Sequence, residues 1–286
     1  MIRALIELAR PRHWIKSAFI VLPVPFALAA GARLDLPVFL AGLAGFCLVA
    51  SSVYVFNDIQ DAEADRLNDA KRGRPVAAGV VSAPQAYAFA AGLAAAGLLL
   101  VAATGIAEVW ILVGLYAAAN VVYSTAAKHV PLLDVFLLAS GFVIRVLVGA
   151  ALVHAAPSSW LLLCASALAL FLAFAKRRAD LVAGVAHEHR PALAGYSLAF
   201  LDQAMGICAA ITLLTYALYS QDSPVFVEGR ELLGLPFVAF VVLDYLRLAY
   251  TRNAGGSPVE MVFRSRVLLL CVLGWTVVTA WSLGAF

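Results

Sequence analysis

"NDIQDAEADRLNDAKRGRP" (residues 57–75) runs straight out of one apolar stretch and ends just before another. Those flanks decide the fold class. Of 286 residues, 64% are hydrophobic and 13% charged, whereas soluble domains average about 45–50% apolar and about 25% charged. Apolar runs of about 20 residues mark membrane-spanning helices. Nine are read here, at 14–30, 37–56, 84–104, 109–123, 132–153, 159–175, 201–220, 235–250 and 267–283. None shows the alternation that barrel strands require. The expected fold is all-α: a polytopic membrane protein of nine transmembrane helices, forming a single domain over 1–286. At about 1–12 a short interfacial helix is expected, since Ile2, Leu5, Ile6 and Ala9 share one face with Arg3, Glu7 and Arg10 elsewhere.

Basic residues orient the bundle. Arg33 and Arg230 fall on one side and Arg145 inside a span, while every other Lys and Arg falls on the opposite side. That side is read as cytoplasmic, which puts the N-terminus inside and, after nine spans, the C-terminus outside. The net charge of +3 then describes a lopsided membrane protein, and no nucleic-acid partner is expected. The run at 14–30 reads as a retained helix, with no convincing signal-peptide cleavage site. Cys47, Cys164, Cys208 and Cys271 lie inside spans without metal-ligand spacing and read as small core residues. His187 and His189 point apart on a helix, so "HEH" at 187–189 reads as a surface loop.

The opening stretch carries the chemistry. If the helix before it continues, Asp58, Asp61 and Asp65 recur at i, i+3 and i+7 on one face. Carboxylates so placed need a cation, and hard oxygen donors suit Mg²⁺, which takes one or two carboxylates plus substrate phosphates. Asn57 adds a neutral oxygen or a donor. Lys71 and Arg72 follow, where basic groups could bind the phosphate oxygens that the metal leaves free, and Gly73 and Pro75 turn the chain back. The bland alternative is a solvated acidic loop neutralised by Lys71, Arg72 and Arg74. In the second half, Lys128 and Asp134 flank a turn. Arg145 follows Asp134 by eleven residues, at nearly the same helical angle and about 16 Å deeper. An arginine at that depth marks a functional site or a structural pair with an acid or carbonyls. Lys176 and Asp180 lie at i and i+4, able to pair, or else within a basic cluster flanking a span.

Taken together, these segments resemble the UbiA superfamily of membrane prenyltransferases, over essentially the whole chain. The Asn-Asp-x-x-Asp-x-x-x-Asp pattern at Asn57, Asp58, Asp61 and Asp65 carries the superfamily. "RPRHWIK" (10–16), residues 57–81 as a whole, "YSTAAKHVPLLDVFLLASGFVIRVLVGA" (123–150), "KRRADL" (176–181), Tyr196 and "GGSPVEMVFRSR" (255–266) are most similar to its decaprenyl-phosphate phosphoribosyltransferase branch. That resemblance implies a multi-pass enzyme of a bacterial-type plasma membrane, active at the cytoplasmic face. A polyprenyl phosphate would attack C1 of phosphoribosyl pyrophosphate with release of diphosphate, giving a lipid-linked pentose donor for cell-envelope glycans. It further implies Mg²⁺ on Asp58, Asp61 and Asp65, assisted by Asn57. Lys16, Lys71, Arg72, Lys128, Arg145, Lys176 and Arg177 become phosphate ligands, and Tyr123, Asp134, Asp180 and Tyr196 further candidates. Two departures stand out. Where aromatic-acceptor members carry a second acidic motif, this chain has Asp180 alone, and Ser265 stands where the branch is expected to have an Asp.

Mg²⁺-assisted loss of diphosphate serves phosphoribosyl transfer and prenyl transfer to an aromatic acceptor equally. Surplus cation around the acids favours phosphoribosyl transfer, which must hold three phosphate groups at once. An anion transporter would place polar groups near the midplane, whereas apart from Arg145 the spans are nearly free of charge through their middles. The small-residue run at 90–100 permits close helix packing within the chain or in a homo-oligomer.

Overall fold

The computed structural model describes residues 1–69, 71–184, 191–251, 261 and 265–284. The loop reading of 187–189 lies outside them. The architecture is all-helical: α1 (Ile2–Ala9), a 3₁₀ segment (Pro11–Ser17), α2 (Ala18–Val21), α3 (Val24–Ala29), α4 (Leu36–Gln60), α5 (Ala62–Arg66), α6 (Ala83–Ala103), α7 (Ala107–Thr125), a 3₁₀ turn (Ala127–His129), α8 (Leu133–Leu152), α9 (Ser159–Val182), a 3₁₀ turn (Pro191–Gly195), α10 (Leu198–Asp222), α11 (Leu235–Thr251) and α12 (Arg266–Ser282). Six of these, α4 and α6 to α10, are long and apolar enough to cross a membrane. Helices α11 and α12 have 17 residues each.

The run at 14–30 departs from the single helix expected of it. It is a 3₁₀ segment followed by two short helices, with Pro23 between them and Pro25 at the start of the second. Proline removes a backbone donor and clashes with the preceding turn, so two in three residues interrupt the helix.

Several helix starts are written locally. Asp35 accepts from Val38 N at 3.1 Å, Ser158 from Leu161 N at 3.1 Å and Ser197 from Phe200 N at 3.1 Å, while Ser82 and Gln85 form a reciprocal capping box. Ser265 does the same for α12, accepting from Leu268 N at 3.3 Å. A short polar cap thus occupies the place where the branch pattern suggested a carboxylate.

Helix α4 is the pivot of one half. Phe46, Val49 and Val53 pack with Val101 of α6, Val113 and Tyr116 of α7, and Ile144 and Val148 of α8. The small-residue run finds its partner inside the chain. Gly97 faces Gly45, and a Cβ on either would fall 2.7–2.8 Å from the other's carbonyl oxygen. Only glycine permits that backbone approach. A second cluster, around Phe171, Leu201, Met205, Tyr245 and Leu248, joins α9, α10 and α11. Helices α4, α7 and α9 finish, and α8 begins, at the same end of the bundle. The polar residues of the opening stretch sit there.

Candidate active site

The acidic stretch bends where a straight helix was expected. Helix α4 stops at Gln60, Asp61 caps it, and α5 resumes at Ala62. The bend splits the carboxylates. Asp58 and Asp65, each 3% exposed, converge on the Arg74 guanidinium at 3.1 and 2.6 Å. Asp61 takes different partners, accepting from Lys128 Nζ at 2.7 Å and from Asn57 Nδ2 at 3.0 Å. Ser124 of α7 donates to Asn57 Oδ1 at 2.9 Å, which tethers α7 to the same point.

The N-terminal segment closes the site from the side. Arg10, in the left-handed region at φ 50°, ends α1 and sends its guanidinium onto Asp58. Trp14 Nε1 donates to Ser51 Oγ at 2.9 Å, and Ser51 donates to the Ala9 carbonyl at 2.7 Å, so the 3₁₀ segment is stitched to α4. His13 stands edge-on to the Tyr54 ring, and Arg10 and Lys16 approach the same ring at 5.7 and 5.8 Å.

These elements enclose a cavity of about 220 Å³. Among the described residues, seven Lys and Arg side chains line it (Arg10, Lys16, Lys71, Arg74, Lys128, Lys176 and Arg177) against three Asp, namely Asp61, Asp65 and Asp134. A surplus of fixed cations in a partly enclosed space concentrates polyanions. Asn57, Tyr123 and Ser124 also line it.

His13 reports the field. Burial, then Lys16, Arg10, Lys176 and Arg74, pull its pKa from 6.5 down to about 4, and its Nδ1 is buried without a partner among the described residues. It is therefore neutral at pH 7. An unfolded histidine takes up a proton below pH 6.5 and the folded one resists until about pH 4, so folding stability falls as pH drops through that window. Thermal unfolding in detergent at pH 7 and pH 5 should show a smaller decrease for His13→Gln than for the native chain. Equal decreases would place the acid sensitivity elsewhere.

A second polar cluster adjoins the first. Asp134, 1% exposed, accepts from Arg177 Nε at 2.5 Å and from the Tyr196 hydroxyl at 2.6 Å. Arg177 also donates to Asp180 at 3.1 Å and to the Tyr123 hydroxyl at 3.0 Å. Burial and the bond to Asp134 push the Tyr196 hydroxyl above the ordinary phenol range. Tyr123, Asp134, Asp180 and Tyr196, scattered in sequence, thus meet around one buried guanidinium.

Two of the expected phosphate ligands sit elsewhere. Arg72 is exposed and pairs with Asp69 at 3.2 Å, outside the cavity lining. Arg145 is buried in α8 and also outside that lining; it donates to Gly141 O at 2.6 Å and to the Tyr116 hydroxyl at 3.1 Å, among the rings of Phe46, Tyr116 and Phe142. Among the described residues, carbonyl and aromatic faces, not an acid, compensate it. An Arg145→Met protein should therefore accumulate in membranes at the native level, since no carboxylate is orphaned, and should lose less activity than an Asp61→Asn protein. Failure to accumulate would show that those two bonds hold the fold. Arg10, His13, Arg74, Asn120 and Ser124 line the cavity although they were not among the site residues inferred from sequence. Arg74 stands two residues from Arg72 in the same basic cluster, and Arg10 and His13 belong to "RPRHWIK", so proximity to those motifs was the available signal.

Among the described residues, no group of three His, Cys, Asp or Glu converges to hold a metal unaided. Asp58 faces Arg10 and Arg74 and does not line the cavity, whereas Asp61, Asp65 and Asn57 do. Two carboxylates and an amide oxygen, completed by phosphate oxygens and water, fit Mg²⁺. They leave Asp58 as the anchor of two arginines.

The chain is also similar to known proteins. The UbiA prenyltransferase family matches residues 17–265. The decaprenyl-phosphate phosphoribosyltransferase of Corynebacterium glutamicum is 33% identical over 95% of this chain and 84% of its own length. The protein of the same name from Mycolicibacterium smegmatis is 31% identical over 96% and 91%. A UbiA homolog from Archaeoglobus fulgidus, bound to GPP and Mg²⁺, superposes with a TM-score of 0.70 over 98% of this chain and 97% of its own, at 19% identity.

Proposed function

The chain belongs to the UbiA prenyltransferase family, and from that premise we propose that it transfers 5-phosphoribose from phosphoribosyl pyrophosphate to a polyprenyl phosphate. The observation that carries this reading is the surplus, among the described residues, of seven basic side chains over three acidic ones around one cavity. An aromatic acceptor needs a mostly apolar pocket with a few polar groups. Three phosphate groups need this many cations.

Asp61 and Asp65, with Asn57, would hold Mg²⁺, which neutralises charge on the diphosphate as it departs. Lys71, Arg74 and Lys128 surround that end of the cavity and bind diphosphate oxygens. Lys16, Lys176 and Arg10 serve the sugar and lipid phosphates. Arg177, fixed by Asp134 and Tyr123, presents its remaining face to the cavity as a rigid cation. An oxygen of the lipid phosphate attacks C1 of the ribose as the bond from C1 to the diphosphate oxygen breaks. The nucleophile is already anionic near neutral pH, so the step requires no general base. Fixed cations stabilise the charge that moves to the leaving group without reorganising. Arg72 and Arg145 are left out of this assignment because neither lines the cavity.

The same reading makes the chain a multi-pass protein of a bacterial-type plasma membrane. Its cavity faces the cytoplasm, where phosphoribosyl pyrophosphate is found, and the three shorter apolar segments complete nine spans. Its product would feed lipid-linked pentose donors for cell-envelope glycans. Diphosphate release by the purified protein in detergent tests the reading. Release should require phosphoribosyl pyrophosphate, polyprenyl phosphate and Mg²⁺ together. Release without the lipid phosphate would contradict the proposed nucleophile.

A further inference from the structure

The turn between the cavity lysine and α8 is strained. Leu132 has φ 67° and ψ −47°, and Leu133 N donates to Pro131 O at 2.9 Å. That is a γ-turn of the rare hand, and a branched side chain at positive φ is an outlier. Nothing local explains it: Leu132 occupies the N-cap position of α8 without a side-chain cap. Such conformations persist when neighbouring structure over-determines them, and they gather at functional sites.

The neighbours that determine this one come from the segment before α10. The Tyr196 hydroxyl accepts from Leu132 N at 2.6 Å and donates its proton to Asp134 at 2.6 Å. Gly195 lies against Pro131, where a Cβ would fall 2.3 Å from the proline ring. One hydroxyl and one missing side chain therefore hold both ends of the turn. On its other side, the turn leads back to Lys128, whose ammonium reaches Asp61 at 2.7 Å across the cavity mouth.

We propose that Tyr196 is a positioning residue, whose hydroxyl holds the strained turn at Pro131–Leu133 and so aims Lys128 at the diphosphate end of the cavity. This rests on the reading of that cavity as a diphosphate site. Relaxing Leu132 to negative φ redirects the chain entering α8, and the 127–130 segment with it. Lys128 then leaves Asp61, and a bound diphosphate loses one of its cations.

The test uses the full-length protein in detergent with Mg²⁺ and measures binding of inorganic pyrophosphate. Tyr196→Phe should weaken binding by about tenfold, the effect of one lost hydrogen bond. Lys128→Ala should weaken it comparably, and adding Tyr196→Phe to Lys128→Ala should bring no further loss. Leu132→Gly added to Tyr196→Phe should restore most of the binding, since glycine adopts positive φ without a Cβ to strain. A purely structural hydroxyl would show neither the coupling to Lys128 nor the rescue. Should Tyr196→Phe fail to fold, Gly195→Ala decides: it displaces the turn through Pro131 and should weaken binding in the native background but not with Lys128→Ala. Native binding in Tyr196→Phe, additive losses, or absence of rescue would overturn the proposal. No pyrophosphate binding by the native chain would instead overturn the reading of the cavity, and this inference with it.

Discussion

An Asp61→Asn protein is expected to fold in the membrane and to turn over at least about a hundredfold more slowly, the scale of losing one preorganised charge-stabilising group. The substitution keeps the shape of the side chain and its bond with Asn57. It removes the charge that pairs with Lys128 and the oxygen that would bind Mg²⁺ at the cavity mouth. Asp61 is partly exposed, so the fold does not depend on it, and heat stability should stay near the native value. Turnover by this variant at physiological Mg²⁺ comparable to the native rate would remove the basis for a metal site here. Asp58→Asn gives an informative contrast. Asp58 faces Arg10 and Arg74 and not the cavity, so its loss should loosen the N-terminal segment and act on substrate affinity more than on Mg²⁺ dependence.

The largest expected effect on stability is that of Arg177→Met. Arg177 is 2% exposed and Asp134 1%. Removing the guanidinium leaves a buried carboxylate without its counter-charge, which costs about 3–5 kcal/mol. Tyr123 and Asp180 lose a partner in the same step. The expected outcome is a sharply reduced yield of folded protein, measured by size-exclusion chromatography in detergent. Adding Asp134→Leu should recover much of the yield, because replacing both members of a buried pair with apolar groups is far less costly than removing one. Full yield of the single variant would mean that water reaches Asp134 and that the pair is not the keystone of this end of the bundle.

How much of this was legible in the sequence follows from how local each feature is. The all-helical class and the long spans rest on composition, which every residue contributes to, and the serine and aspartate caps are written within four residues of the helix starts that carry them. The place of the acidic motif at a helix end was equally plain. The split among its carboxylates was not. Periodicity puts Asp58, Asp61 and Asp65 on one face, but the partners that tell them apart are distant: Lys128 on Asp61 and Ser124 on Asn57 each lie 67 residues from the group they bond. Choosing between Arg72 and Arg74 required the path of the turn, since both follow the acids at similar range. Arg145 was conspicuous by its depth, yet its aromatic surroundings come from α4, α7 and α8 together. The broken segment at 14–30 was the readable exception, since Pro23 and Pro25 stand in plain view. The strain at Leu132 has no sequence signature, because leucine is among the residues least expected at positive φ.

The most direct test of the account gives the purified protein two reactions in detergent with Mg²⁺. One holds labelled phosphoribosyl pyrophosphate and a polyprenyl phosphate; the other holds a labelled polyprenyl diphosphate and an aromatic acid. Ribose label is expected to pass into the lipid phase in the first reaction, with no prenylated aromatic in the second. Prenylated aromatic in the second reaction, with no lipid-borne ribose in the first, would contradict it.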